Sequence, residues 1–317
     1  MKQNLRKKAL FPAIAMVLAA IIALSGVTYA WFTTGTTANV QSLDVNVATA
    51  NGIQVSLDAS SWKSTITAAD IQAAITGATS YTDRCIQYPT TEIAPVSSAG
   101  NVVDGKMEMF FGAYNQNGNL DSTREEESNG KVNNANFIAF DLFFKTSNEQ
   151  MLSLNVGAGM SIVNCINLTG GDTNMGTERA VRVAFIPMGS AATDVAARDL
   201  TVASGKAIIW EPNHETRAPG VEGSGKVDYS GFTAEFKNIA ENALSSAEVE
   251  PVSVITKTEA LVNLENTITK VRVYIWLEGQ DVDCINNISN GDFSVNLQFA
   301  VPETEKTTTA PDTGDNG

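Results

Sequence analysis

Histidine is almost missing from this chain, which in 317 residues holds only His214. That ring sits in the run Trp210-Glu211-Pro212-Asn213-His214-Glu215, and no serine lies in the Gly-x-Ser-x-Gly setting of a nucleophile elbow. Acids are numerous, yet no two stand out as the carboxylate pair of a glycan hydrolase. Acid-base and nucleophilic catalysis find no anchor, and the chain reads as a non-enzyme. Cysteine is scarce as well. Cys85, Cys165 and Cys284 are too few for a disulfide framework, and none belongs to a CxxC or Cys/His group that would hold zinc. The count is odd, so at most one bridge closes within the chain. The matching contexts Asn-Cys-Ile-Asn around Cys165 and Asp-Cys-Ile-Asn around Cys284 favour that pair, against the alternative of three isolated small apolar side chains.

Positive charge is the third shortage. Lys and Arg number 21 against 35 Asp and Glu, for a net charge of −14. A field of that sign repels nucleic acid and anionic lipid headgroups, which excludes both as partners. No repeat recurs at a fixed period. Long apolar runs are absent except for one, from Ala9 to Leu24, which follows the basic stretch Met1 to Lys8 and precedes the small residues Thr28 and Ala30. These three parts make a secretory signal with cleavage between Ala30 and Trp31 by a signal peptidase. A bilayer core needs about 20 apolar residues, so the run is short for an anchor helix, and no stable membrane insertion is expected after cleavage. Loss of Lys2, Arg6, Lys7 and Lys8, with no acid in the same stretch, takes the net charge from −14 to −18.

The junction itself carries a resemblance. Gly26, Thr28, Ala30, Trp31 and Phe32, the polar Thr/Asn stretch after them and the strand start Leu43-Asp44-Val45 are similar to the signal and first strand of proteins exported through a SipW-type signal peptidase. The TasA and camelysin proteins of Gram-positive bacteria are the best-known members of that group. The resemblance covers about the first 45 residues, a span short enough to count as a motif match. It implies a β-sandwich, an extracellular matrix location and assembly into fibres. It also implies a mechanism, in which the segment Trp31 to Val47, freed by cleavage, completes the open sheet edge of a neighbouring copy, with Leu43, Val45 and Val47 setting the register.

Beyond the junction the patterning is that of strands. Leu43, Val45 and Val47 alternate with polar residues, as do Ile53, Val55 and Leu57. A three-residue loop, Ala50-Asn51-Gly52 with Gly52 at positive φ, joins these as a hairpin that sets Val47 opposite Val55 and Val45 opposite Leu57. Thr67 to Thr76 is the clearest helix, with Thr67 as cap, Asp70 in the first turn, and Ile71 and Ile75 on one face. Met107 to Tyr114 is apolar, and Asn115 to Asn136 reads as a long polar connection whose run Glu125-Glu126-Glu127 is a solvated loop. Phe137 to Phe144 has few polar interruptions and predicts a central strand buried on both faces.

Strands are expected around Leu152 to Val156, at Ala180 to Ile186 with Val181, Val183 and Phe185 inward, at Lys206 to Trp210, at Phe232 to Phe236 and at Val252 to Ile255. Short helices are expected over 191–199 and 257–266. The strongest alternation comes last, in Val271 to Leu277 and Phe293 to Phe299, which the polar connection between them predicts to pair antiparallel. The whole is mainly β, an antiparallel β-sandwich of jelly-roll-like outline with one or two short inserted helices. Residues 1–30 form the cleaved signal and 31–302 a single sandwich domain that starts with the strand segment 31–47. Residues 303–317 form a disordered Thr/Pro-rich tail.

Three further motifs bear on ligands and attachment. Asp281, Asp283 and Asp292, with Asn286 and Asn287, crowd the last connection with oxygen ligands that suit calcium. Ile285, however, stands where an EF-hand loop needs its third ligand, so a solvated acidic turn is the competing reading and no cofactor is otherwise expected. Gly220, Gly223, Gly225 and Lys226 nearly spell a phosphate-binding loop, with Val227 in place of the magnesium-binding hydroxyl; this reads as a flexible Gly-rich loop. Pro311, Thr313 and Gly314, in Ala310-Pro311-Asp312-Thr313-Gly314, are similar to the Leu-Pro-x-Thr-Gly sorting signal that attaches surface proteins to the cell wall, with Ala310 in place of the leucine. The leading expectation is a secreted structural protein of the cell surface or matrix, its partners being copies of itself or other matrix proteins. The alternative is a surface adhesin whose Trp62, Trp210, Tyr274 and Trp276 stack on sugar rings.

Overall fold

A computed structural model of the chain describes residues 43–49, 52–77, 81, 83–89, 93–98, 100–114, 120–125, 135–146, 150–154, 166–170, 180–210, 261–264, 266–279, 284 and 293–300. The strands in chain order are β1 (Leu43–Thr49), β2 (Gln54–Ser56), β3 (Thr65–Ile66), β4 (Ile86–Gln87), β5 (Asn101–Val103), β6 (Lys106–Met107), β7 (Met109–Tyr114), β8 (Leu120–Glu125) and β9 (Phe137–Lys145). They continue with β10 (Gln150–Leu154), β11 (Ile166–Gly170), β12 (Val181–Ala191), β13 (Ser204–Lys206), β14 (Ile208–Trp210), β15 (Val262–Leu264), β16 (Ile268–Leu277) and β17 (Phe293–Ala300). Two helices interrupt them, α1 (Ala68–Ile75) and α2 (Asp194–Arg198). The chain is mainly β with antiparallel sheets, as the alternation predicts.

Two six-stranded sheets dominate. The first runs β15-β10-β17-β1-β3, with β11 also on β17; the second runs β14-β12-β16-β9-β2, with β4 also on β9. Their inward side chains meet in one core that takes Val45, Val47, Val295, Leu297 and Phe299 from the first sheet and Phe140, Leu142, Phe144, Val183, Phe185, Val273 and Ile275 from the second. Phe299 sits edge-on to Phe144 at 4.9 Å and to Phe185 at 5.9 Å, ring contacts of the favourable T-shaped kind. Each such side chain withdrawn from water contributes on the order of 1.5–3 kcal/mol, and this burial is the main force holding the fold.

The two sheets differ on their outer sides. β17 alternates buried and half-buried residues along its length, whereas β9 is buried at every position from Phe137 to Phe144. A small sheet of order β13-β5-β6 accounts for the difference. Val102 and Met107 from it, with Val96 and Met109 beside it, pack on Phe137, Ala184, Ile186, Tyr274 and Trp276 of the second sheet's outer face.

Local signals are well obeyed. Thr67 caps α1, its hydroxyl accepting from the Asp70 N–H while the Asp70 carboxylate accepts from the Thr67 N–H, and Ile71 is buried. The expected helix over 191–199 is α2. Gly52 has the positive φ expected of it, at +80°. The strand expected at Ala180 to Ile186 is β12, which starts at Val181 and buries Val181, Val183 and Phe185, and Phe137 to Phe144 is an inner strand, paired with β16 on one side and with β2 and β4 on the other.

The arrangement of strands departs from expectation in five places. β1 and β2 do not form a hairpin: β1 pairs with β17 and β3, β2 pairs with β9, and Gly52 turns the chain from one sheet to the other. Val45 and Val55 still reach the same core, from opposite sides. Likewise β16 and β17 are not partners, since β16 lies between β12 and β9 and β17 lies in the first sheet. A strand buried on both faces and a strand with one polar face suit different layers, and crossing between layers lets both inner faces share one core. The stretch expected as a polar connection after Tyr114 contains β8, which pairs with β7 from Leu120 to Glu125. Residues 262–264, expected within a helix, form β15 on the edge of the first sheet. Among the described residues one strand pair is parallel, β1 with β17. The strands expected at 232–236 and 252–255 lie outside the described residues.

Candidate functional site

Two places gather residues that a function would use. The first is the seat of β1. Leu43 lies beside Phe293, Val45 beside Val295 and Val47 beside Leu297, in a parallel register that holds to Thr49 beside Phe299. Val45 and Val47 are fully buried in the common core. On the outer face Asn46 Nδ2 donates to Asn296 Oδ1 at 3.1 Å, which locks the register with an amide pair. The other edge of β1 meets β3 only at Val47 and Ala48, with the Thr49 N–H donating to the Ser64 carbonyl at 3.0 Å just beyond. Among the described residues, no strand pairs with that edge over Leu43 to Asn46. Of the three residues expected to enter a neighbour's sheet, Val47 thus has a strand on both sides, while Leu43 and Val45 pair with β17, the last described strand of the chain, on one side only.

The second place is a buried ionic cluster on the outer face of the second sheet. Asp141 on β9 faces Arg272 on β16. Arg272 Nε donates to Asp141 Oδ1 at 2.7 Å, and Asp141 Oδ2 accepts from the Tyr81 hydroxyl and the Cys85 N–H, both at 3.0 Å. Lys270 Nζ lies 3.5 Å from Asp141 Oδ2 and 3.6 Å from Asp83 Oδ2. It also donates to the backbone carbonyls of Leu200 at 2.9 Å, Arg198 at 3.0 Å and Asp83 at 3.3 Å. Arg272 reaches the carbonyls of Asp83 at 2.7 Å and Gly105 at 2.9 Å. The side chains of Lys270 and Asp141 have no solvent exposure, that of Arg272 has 1%, and Asp83 alone is open to solvent, at 25%. Burial, and then the charge of Asp141, push the Tyr81 hydroxyl far above its ordinary range, so Tyr81 acts as a neutral donor.

The cluster contains two cations and two carboxylates, and its polar atoms have partners. The three protons of the Lys270 ammonium are met by three carbonyls, so this amine is not presented as a nucleophile. The arrangement does chemical work of another kind: it fixes the backbone of three separate segments, around Asp83, Gly105 and Leu200, against the sheet. Beside it, Glu278 accepts from Trp276 Nε1 at 3.0 Å and from the Ser97 hydroxyl, joining the 96–98 segment to the end of β16.

Sequence reasoning missed this cluster. Asp141 lies within the apolar run of β9 and Arg272 within the alternation of β16, and neither position alone marks a charged cluster. The available signal was one acid inside Phe137 to Phe144 and two cations flanking Val271, since a charge in a strand buried on both faces needs a buried partner.

The aromatic platform expected of an adhesin is overturned by burial. Trp210, Tyr274 and Trp276 are 0–2% exposed, and Tyr274 uses its hydroxyl to accept from the Met107 N–H at 3.0 Å. Trp62 is half-buried, with Lys145 Nζ 4.3 Å from its ring centre. Cys85 and Cys284 are buried, and Cys165 lies outside the described residues. So do Thr28, Ala30 and Trp31 of the cleavage site, Asp281, Asp283 and Asp292 of the calcium candidate, His214, the Gly-rich loop at 220–227, and Pro311, Thr313 and Gly314 of the sorting motif. Among the described residues no group of three or more His, Cys, Asp or Glu is arranged to hold a metal ion. No protein-family model matches the chain, and no curated protein or solved structure matches it.

Proposed function

We propose that this chain is a secreted structural protein of the cell surface or extracellular matrix, not an enzyme, whose copies join through the N-terminal strand segment. The fold beneath this reading is a β-sandwich of jelly-roll-like outline. The shared core of the two large sheets and the Phe144–Phe299 contact across it support that outline. The observation that carries the functional reading is the seat of β1. Its main partner, β17, is the last described strand of the chain, so the first strand is held by residues 250 positions away and not by its sequence neighbours. A seat of that kind is equally complementary to the same strand arriving from another copy.

The parallel register also sets the start of β1 and the end of β17 at opposite ends of the seam. The segment before Leu43 leaves beside Phe293, and the chain continues after Ala300 beside Thr49, about 20 Å away at the usual rise per residue. Segments leaving from opposite ends suit a unit joined end to end.

The test mixes chains carrying Asn46→Cys with chains carrying Asn296→Cys, each begun at Trp31, under mild oxidation, and compares forms begun at Trp31 and at Ser42 by electron microscopy. Mixed disulfide dimers together with filaments from the longer form support exchange of β1 between copies. Filaments without mixed dimers place the joint in residues 31–42, with β1 kept at home. Monomers from both forms, with a disulfide closing only inside the double variant, overturn the reading.

A further inference from the structure

We propose that the small sheet β13-β5-β6, with the loop 199–203, is a lid that opens separately from the two large sheets, and that Lys270 and Arg272 are its latch. The lid is lightly built. Its strands are three, three and two residues long, β13 is exposed throughout, Val103 is 39% exposed, and its buried apolar side chains are Val102, Met107 and Ala207. Segments with so little buried apolar surface open at low cost relative to the global transition.

Beyond that apolar packing, the hydrogen bonds that tie it to the second sheet converge on one strand. Arg272 donates to the carbonyl of Gly105, in the turn between β5 and β6, and Lys270 donates to the carbonyl of Leu200, at the start of the loop. The Met107 N–H adds a third tie, to the Tyr274 hydroxyl. All three tethers end on β16, which the lid otherwise only covers. Both cations gain their own balance from Asp141 and Asp83, so the latch stays attached to the sheet when the lid lifts.

A cleft of about 620 Å³ lined by Asp83, Asp104, Asp199 and Thr201 to Ala203 runs to this point and brings water to Asp83, the latch's one partly exposed member. Water is therefore ready to replace the carbonyls as the lid departs. Beneath the lid lie Tyr274, Trp276, Ile186 and Met188, an apolar strip that opening bares.

Gly105 permits a change made from the lid side alone. Its φ of +72° suits glycine, and a methyl group there would collide with the Thr201 hydroxyl. The experiment is hydrogen exchange by mass spectrometry on the full chain in low denaturant, for the parent, Arg272→Lys and Gly105→Ala, with an apolar fluorescent dye as second readout. In the parent, peptides covering 100–107 and 199–207 exchange together and before those of β9, β12 and β17. Gly105→Ala speeds that group about 10- to 100-fold, raises dye binding and leaves the large sheets unchanged, while Arg272→Lys, which also loses its bond to Asp141, speeds the lid by more than it speeds the sheets. Lid and sheets exchanging as one unit in the parent, or Gly105→Ala speeding β9 and β17 as much as the lid, overturns the proposal. Should Arg272→Lys fail to fold, the parent and Gly105→Ala decide it.

Discussion

The two large sheets contribute side chains to one core, yet their outer faces have little in common. The first sheet turns Asn46, Ser294, Asn296 and Gln298 outward, all half-buried or amide-paired and uncharged. The second turns Asp141, Lys270, Arg272, Tyr274 and Trp276 outward, and each of them is buried. Among these residues, charge lies where water is excluded and neutral amides where it is admitted. The reason lies in what the side chains must hold. A lid with few apolar contacts gains most from charge-assisted bonds to carbonyls, which buried cations make strong. A seam between two strands needs no more than matched amides.

That difference predicts its largest consequence at Asp141. Asp141→Ala leaves Arg272 and Lys270 without their buried counter-charge, and we expect a loss of about 3–5 kcal/mol in urea unfolding. Asn296→Ala on the first sheet's outer face should cost no more than about 1 kcal/mol. Equal losses would mean that the outer faces are energetically alike and the comparison is wrong. The inner faces should show no such contrast. Leu142→Ala and Leu297→Ala, one from each sheet and both fully buried in the shared core, should each cost about 2–5 kcal/mol by the same measurement. A wide gap between them would show that one sheet carries the core without the other.

Acid tests the loops beside the sheets. The Asp58 carboxyl is pulled upward by burial, but the N–H groups of Ser61 and Ser60, with the hydroxyls around them, outweigh that and hold it well below its ordinary value of 3.8. Asp70, at the start of α1, is lowered first by Lys63 and then by the Thr67 N–H. Groups whose folded pKa is depressed add stability that is complete above the unfolded value and vanishes as pH falls through the folded one. Stability should therefore decline below about pH 4, and Asp58→Asn should flatten that decline by about 1 kcal/mol, a figure kept small because solvent screens the loop. An unchanged acid limb would assign the decline to other carboxylates.

How far the sequence disclosed this depended on distance along the chain. α1 was legible because its cap, its first-turn acid and its apolar stripe lie within ten residues. β9 was legible because an apolar run bounded by polar residues needs no knowledge of its partners. Sheet membership was not legible. Asn51-Gly52 has the composition of a hairpin turn, and only the competition between β17 and β2 for the edge of β1 decides that the chain crosses instead. For the same reason the strands at 271–277 and 293–299, each correct in its alternation, were paired with each other when the core required them in different layers. The aromatic residues mark the other limit: Tyr274 and Trp276 alternate with apolar neighbours as exposed residues would, and they are buried by covering segments from far earlier in the chain, among them Val96, Val102, Met107 and Ala207.

The finest probe of the contrast is the amide pair itself. Asn46 and Asn296 meet across the β1–β17 seam at 3.1 Å, while Arg272 and Asp141 meet across β16 and β9 at 2.7 Å. Both pairs join neighbouring strands on an outer face. Double-mutant cycles with alanine should return a coupling of about 0.5–1 kcal/mol for the amides and several-fold more for the ions. The amide coupling carries information that the ionic one does not. If β1 stays in its own sheet, the coupling is the same at every protein concentration. If β1 is exchanged, Asn46→Ala and Asn296→Ala act on different chains, and mixing the two single variants restores the lost bond in half of the mixed contacts. A coupling that rises with concentration therefore reports the joining of copies directly, and one that does not confines β1 to its own subunit.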